Sequence, residues 1–529
     1  LLPLRETEKL TGRRQVHDEK DATSAIASDA STGAPDVDAR SAILLAIRNA
    51  LTLGGALLLT QSIGLTMRVV LPRHLGPAHF GELNFADAFT ATLFVALRLG
   101  LDSYVRKEVA VRPSIASEFY GGAFVVRVAM TLGLCAVIAL ILQASHRTAE
   151  RSLVFVFAFY QFAVSANGTL GALLHAKGRV RGMSALSVAT KIAWAVGVLA
   201  AMAAHAGLPA YAASYLVPEA VEVVVLMALA GQHLGLVFRV DIAATRRLLR
   251  NTLPFYIGDV AVAAYGTLGV TLLEFTAGNT EVGLYGAAQT LANVTLLITP
   301  IMGWVLSPML ARAAARSRAE LYEHVGSSLV LVLTLAVPAS LIMNLGADVW
   351  MSILGSQYAP AVPALRVLSV VFVLTYVAMI FGMTLVMLER AWTLTWITVA
   401  GLGVNGVLNL VLVHYSVPRL GLGGGGTGCA AAMLGTEIFV IACMAWAIGG
   451  GVFDRRTIGT LVRVLLVYVL VVVIHRLIGP LGHARLAIDA VLYLGPAMAV
   501  GALRPRDMLA TVRQALRKEP PGPGPAVAS

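Results

Sequence analysis

The sequence predicts an all-α polytopic membrane protein with about fourteen transmembrane helices, arranged as two pseudo-symmetric six-helix lobes plus two extra C-terminal helices. Three observations carry that prediction. The first is composition: 529 residues, 57% hydrophobic and only 13% charged, with a mean hydropathy of +0.78, lie far from the balance of a soluble domain. The second is an asymmetric distribution of Lys and Arg between alternate connections. The third is a weak internal repeat, in which Gly76, Gly81 and Ala86 of GPAHFGELNFADA align with Gly278, Gly283 and Ala288 of GNTEVGLYGAAQT, 202 residues later.

Crossing the ~30 Å hydrocarbon core takes about 20 apolar residues, and fourteen such runs can be placed. After a polar segment 1–42, rich in Ala, Ser, Thr and Asp and read as a disordered cytoplasmic tail, the first lobe (43–237) holds spans at 44–67, 83–101, 119–142, 152–175, 183–204 and 212–234. The basic loop 238–252 links the lobes. The second lobe (253–448) holds spans at 253–275, 285–310, 323–345, 364–388, 393–414 and 427–448. Spans at 459–478 and 486–503 follow outside the repeat, and 504–529 form a second cytoplasmic tail ending in a Pro/Gly-rich stretch that cannot pack.

With both termini in the cytoplasm, 27 of the 40 Lys and Arg fall inside and five outside, at Arg73, Arg147, Arg151, Arg419 and Arg485. This is the positive-inside pattern. Topology therefore accounts for the net charge of +11 and the pI of 9.8, and nucleic acid is not an expected partner. Cys135, Cys429 and Cys443 lie in apolar runs without metal-ligand or disulfide spacing. No external connection exceeds about 20 residues, which leaves no room for a large extracytoplasmic catalytic domain.

Charges inside the spans supply the functional candidates, because such residues usually face a bundle interior or a wet cavity. Asp87 and Arg98 are eleven residues apart, three helical turns with only about 20° of drift, and so share one face with Ala91 and Phe94. Gln61, Gly64 and Arg68 form a stripe, as do Ser184, Ser187, Lys191 and Trp194, and Tyr215, Glu219 and Glu222. Arg127 and Lys191 sit about nine residues into their spans, where snorkelling to the headgroups is difficult. In the second lobe Tyr256 and Asp259, Gln289 and Asn293, and Thr398, Asn405 and Asn409 make polar faces, and Glu437 stands alone. Polar faces on many helices predict a central hydrophilic cavity.

Other motifs carry less. Asp36-Val-Asp38 matches a glycosyltransferase DxD but lies in the tail. The GLGGGGTG run, Gly421 to Gly428, matches GxGxxG formally but has no strand before it, so it reads as a turn entering a helix. No metal ligand set, catalytic group or ATP site is apparent. Pro218, Pro300, Pro308 and Pro338 fall inside apolar runs, where proline kinks a helix.

LPRHLGPAHFGELNFADA with RLGLDSYVRKEVA and GGAFVVR, the second-lobe start LPFYIGDV and GNTEVGLYGAAQ, and LGSQYAPAVPALRVLS resemble the polysaccharide-export branch of the MOP (MATE-like) superfamily, the Wzx-type lipid-linked oligosaccharide flippases. That resemblance covers roughly 43–448. It implies two six-helix lobes that move an undecaprenyl-diphosphate-linked glycan across the bacterial cytoplasmic membrane by alternating access, alongside polysaccharide-assembly machinery. A diphosphate calls for shielded cations, and Arg68, Arg98, Arg127 and Lys191 are the candidates. Asp87, Glu219, Glu222 and Asp259 are candidate counter-ions or H+ or Na+ coupling groups. Three alternatives share some of these features: a cation-coupled drug exporter of the MATE type, a lipid II flippase, and a membrane glycan ligase or polymerase.

Overall fold

Every described element is a helix, as expected where lipid leaves a backbone N–H no acceptor outside its own segment. The computed structural model describes residues 35–98, 116–144, 151–176, 180–234, 240–299, 302, 306–452 and 455–477. Leu59–Ser529 form one compact unit and Leu1–Leu58 another. The first half contains α1 (Pro35–Phe94), a 3₁₀ turn (Val95–Arg98), α2 (Ala116–Ala144), α3 (Arg151–Ala176), α4 (Val180–Ala203) and α5 (Leu208–Leu234). The second half contains α6 (Ile242–Ala277), α7 (Asn279–Ala292), α8 (Ser307–Arg316), α9 (Arg318–Leu345), α10 (Ala347–Leu354), α11 (Val362–Met387), α12 (Ala391–Leu420) and α13 (Gly424–Ile448). Last comes α14 (Arg455–Leu477).

Among the described residues ten helices are long and apolar enough to cross a membrane, against the fourteen expected, and the difference has local causes. The connection expected between spans 1 and 2 is itself helical, and only Gly76, at φ 72° and ψ 171°, interrupts it. Pro77 follows immediately, at the first position of the second helical stretch, where no N–H is needed. Within the expected span 285–310 the described elements are α7, a 3₁₀ stretch (Asn293–Ile298) and α8, and residues 300, 301 and 303–305 lie outside the described residues. In α14 the apolar helix among the described residues is Leu466–His475, too short to cross. The segment 486–503 and both outermost tails lie outside the described residues, although α1 already begins at Pro35, inside the expected tail 1–42.

The internal repeat is expressed in the backbone. Gly278, between α6 and α7, has φ 86° and ψ 175°, nearly the angles of Gly76, its partner in the repeat. Only glycine adopts such a conformation readily. Five residues beyond each break, the chains touch: a Cβ on Gly81 would overlap the carbonyl of Asn279, and one on Gly283 would overlap the carbonyl of Pro77. The two contacts exchange under the 202-residue offset, as symmetry about a local twofold requires. Gly286 lies against the side chain of Asn84, its own repeat partner. Small residues let membrane helices approach this closely.

One buried cluster spans both halves, with Phe85, Leu97 and Phe157 from the first and Leu284, Leu354 and Leu365 from the second. In the second half α12 packs extensively on α13 and α6, and α11 on α13. Here the polar stripe of α12 departs from expectation. Asn405 Nδ2 donates to Thr436 Oγ1 at 3.1 Å, and Asn409 Nδ2 donates to Asn405 Oδ1 at 3.0 Å, with both asparagines 1% exposed. The stripe joins helices instead of lining an open chamber. Glu437 is also buried, with Oε1 accepting from Thr375 Oγ1 at 3.2 Å.

The glycine-rich run has a structural explanation as well. Glu281 of α7 accepts backbone N–H groups from Gly423 and Gly426 at the start of α13, where a carboxylate is favoured by the unsatisfied donors and the helix dipole. Gly423 has φ 86° and abuts the Pro360 carbonyl, and Gly428 packs on the backbone of Leu412 and Val413.

Candidate functional site

A cavity of 420 Å³ opens within the first half, lined by Thr60 of α1, Asn167 and Gly171 of α3, Ser187, Thr190 and Lys191 of α4, and Glu219 and Glu222 of α5, among others. Helical spacing explains the convergence: Ser187 and Lys191 are one turn apart on α4, and Glu219 and Glu222 are one turn apart on α5. Asn167 Nδ2 donates to Glu219 Oε2 at 2.8 Å and to the Glu219 carbonyl at 3.0 Å, which fixes that carboxylate against α3. Glu222 lies against the Thr190 hydroxyl. The Lys191 ammonium sits 5.3 Å from the ring of Trp194.

Beside the cavity an aromatic cluster encloses Asp87. Gln161 Nε2 donates to Asp87 Oδ1 at 2.9 Å. Tyr215 makes edge contacts with Tyr160 at 5.8 Å and Trp194 at 5.2 Å, and a tilted one with Phe157 at 5.6 Å. Asp87 and Arg68 both act electrostatically on Tyr215. They lie eleven residues after and eight before the break at Gly76, so α1 folds back there and brings both toward α5. Tyr160 in turn lies within range of Asp87 and Glu219, which makes one electrostatic network of the two groups.

The other cations are placed differently. Arg127 is 2% exposed, with Nε donating to the Leu97 carbonyl at 2.9 Å and a terminal nitrogen donating to Thr169 Oγ1. Leu97 also accepts from Ser165 Oγ at 2.9 Å. Arg127 thus ties the end of the first long helix to α3, and it does not line the cavity. Arg68 is exposed. Arg98 falls in the 3₁₀ turn that follows α1. The side chains of Arg98 and Asp259 lie outside those described. Of the three proposed cations whose side chains are described, Lys191 alone is among the cavity-lining residues. In the sequence Gln161 is not singled out, and Asn167 draws notice only through Asn167-Gly-Thr169, a glycosylation sequon without that meaning inside a span.

A membrane scaffold of long helices with an internal repeat and a part-open cavity holding Lys191, Glu219 and Glu222 defines the class of polytopic transport proteins. The polysaccharide biosynthesis protein family matches residues 46–314, just over half of the chain, and the chain belongs to that family. No curated protein matches it in sequence. Among solved structures it is similar to lipid II flippase MurJ in an inward closed conformation, with a TM-score of 0.67 and 10% identity, over 86% of this chain and 99% of that one. It is also similar to an inward-facing multidrug resistance MATE family transporter of the MOP superfamily, with a TM-score of 0.56 and 14% identity, over 74% and 98% of the two chains. At such identities the likeness is one of fold.

Proposed function

We propose that the protein is a flippase, not an enzyme, and that it moves a polyprenyl-diphosphate-linked oligosaccharide from the inner to the outer leaflet of a cytoplasmic membrane by alternating access of two six-helix lobes. The observation that carries this reading is the coincidence of the family match with a part-open cavity bearing Lys191, Glu219 and Glu222 inside a flippase-like fold. Lys191 is the headgroup-binding cation best supported by position; its ammonium is a point charge able to donate to phosphate oxygens. At 420 Å³ the cavity is at the small end of ligand pockets, so it would admit a headgroup fragment while the prenyl tail stays in lipid. Asp87, Glu219 and Glu222 would serve as counter-ions or as the groups that couple transport to a cation gradient. Proteoliposomes containing a fluorescent lipid-diphosphate sugar test the proposal. Wild type is expected to exceed protein-free vesicles, and Lys191→Ala to fall about tenfold, the loss of one charge-assisted hydrogen bond. Transport no faster than in empty vesicles would refute it.

One observation favours a second reading, a cation-coupled exporter: the cavity presents two carboxylates, Glu219 and Glu222, beside the single Lys191. The same vesicles loaded with an organic cation dye separate the two. Dye efflux without movement of the lipid would select the exporter.

A further inference from the structure

We propose that the crossing of α1 and α7 at Gly81 and Gly283 is the gate that closes the translocation route on the extracytoplasmic face. This rests on the flippase reading and on the topology predicted by the positive-inside pattern. The contact is made backbone to backbone, since neither glycine could carry a Cβ without overlapping the opposite helix. Nothing as large as a sugar headgroup passes between helices in such contact, so they must part for release.

Beyond the seam at Gly81 and Gly283, other contacts join α1 to neighbouring parts of the second half, the 3₁₀ turn Ser356–Ala361 and α6. Tyr358 Oη donates to the Pro72 carbonyl at 2.8 Å. Phe85 meets Phe275 edge-on at 5.9 Å, and Thr92 Oγ1 donates to Thr267 Oγ1 at 2.7 Å. Each joins the first half of the chain to the second through apolar faces or single hydrogen bonds between neutral groups, a kind of contact that can break and re-form without stranding a charge. Gly76 and Gly278, each five residues before a crossing glycine, adopt backbone angles that most residues avoid and give both helices a pivot beside the contact. The local twofold lets the two segments swing apart equally.

The test is a double variant, Asn84→Cys with Gly286→Cys, in a chain whose three cysteines are replaced by Ala. An ideal Cβ at Gly286 lies 2.8 Å from Asn84 Cγ, so the two Cβ atoms fall in the roughly 3.5–4.5 Å range that a disulfide spans. Oxidation is expected to cross-link the helices and reduce lipid movement about tenfold or more, and a reductant to restore it. An oxidised protein that transports as fast as the reduced one overturns the gate, as does a folded double variant that never cross-links.

A second measurement needs no substrate. Asn84→Cys alone, labelled by a membrane-impermeant maleimide, is expected to react about tenfold faster when Gly81→Leu holds the seam apart, and to a lesser degree with Gly81→Ala. Unchanged labelling in both overturns the proposal. If the seam cross-links and labels as expected but wild type moves no lipid, the flippase reading fails while the moving seam stands.

Discussion

Two buried or half-buried cations in the first half illustrate how a single residue type can do opposite things. Arg127 is surrounded by protein, and its donors satisfy the Leu97 carbonyl and the Thr169 hydroxyl. Removing it takes the guanidinium donor from the buried Thr169 hydroxyl, a loss of about 1–3 kcal/mol, and leaves the Leu97 carbonyl with Ser165 Oγ. Arg127→Ala is therefore expected to lower the melting temperature in detergent by several degrees, and transport should fall with the amount of folded protein. Lys191, half-buried beside the cavity, bonds to no carbonyl that its loss would orphan among the contacts described. Lys191→Ala should leave melting within about 2 °C of wild type while slowing transport per folded molecule. Equal melting losses in both variants would place Lys191 in the same structural role as Arg127. Depth in an apolar run did not distinguish the two, because it reports distance from the headgroups and not which neighbour the side chain meets.

At the scale of elements, glycines decide how closely helices pack, and their effects divide sharply. Gly423→Ala places a Cβ on a backbone of positive φ and against the Pro360 carbonyl, and is expected to cost at least about 1–3 kcal/mol from strain and overpacking. Gly403, in the middle of α12, has nothing within 4 Å of an ideal Cβ, so Gly403→Ala should be neutral or stabilise by up to about 1 kcal/mol. Thermal unfolding of both variants checks the contrast, and a loss at Gly403 as large as that at Gly423 would refute it. Much of this level is legible in sequence. The alignment of Gly76 with Gly278 and of Gly81 with Gly283 anticipates the two backbone breaks and the reciprocal contact, because close approach and positive φ both demand glycine. The change from α-helix to 3₁₀ at Asn293 is not legible, since the apolar character of the run continues through it. The inward turn of Asn405 and Asn409 is equally hidden, because a polar stripe looks the same whether it faces water or the hydroxyl of another helix.

For the whole molecule, aromatic and cationic side chains supply a membrane frame that hydropathy alone leaves loose. On α12, Trp392 and Trp396 stack at 6.5 Å near one end, and the Arg419 guanidinium lies 3.4 Å from the ring of Tyr415 near the other. Trp396 and Tyr415 are nineteen residues apart, about 28 Å along a helix, close to the ~30 Å hydrocarbon thickness. Both are exposed, as interfacial anchors are. Trp446, 86% exposed on α13, belongs to the Trp392 end, since the Arg390 guanidinium donates to the neighbouring Ala447 carbonyl. Arg390 immediately precedes α12, so its charge lies at that end too. Arg316 and Arg318, in the reversal between α8 and α9, are assigned to the same side by the predicted topology. The positive-inside pattern then predicts this side in the cytoplasm and the Gly421 turn, with the Gly81 crossing, outside. Ala319 and Leu422 are exposed at the two sides. In the cysteine-free chain, Ala319→Cys is expected to react with an impermeant thiol reagent only in inside-out vesicles, and Leu422→Cys only in right-side-out ones. The opposite result inverts the topology and transfers the proposed gate to the cytoplasmic face. Labelling of both positions from one side would place the two turns together and contradict the span of α12.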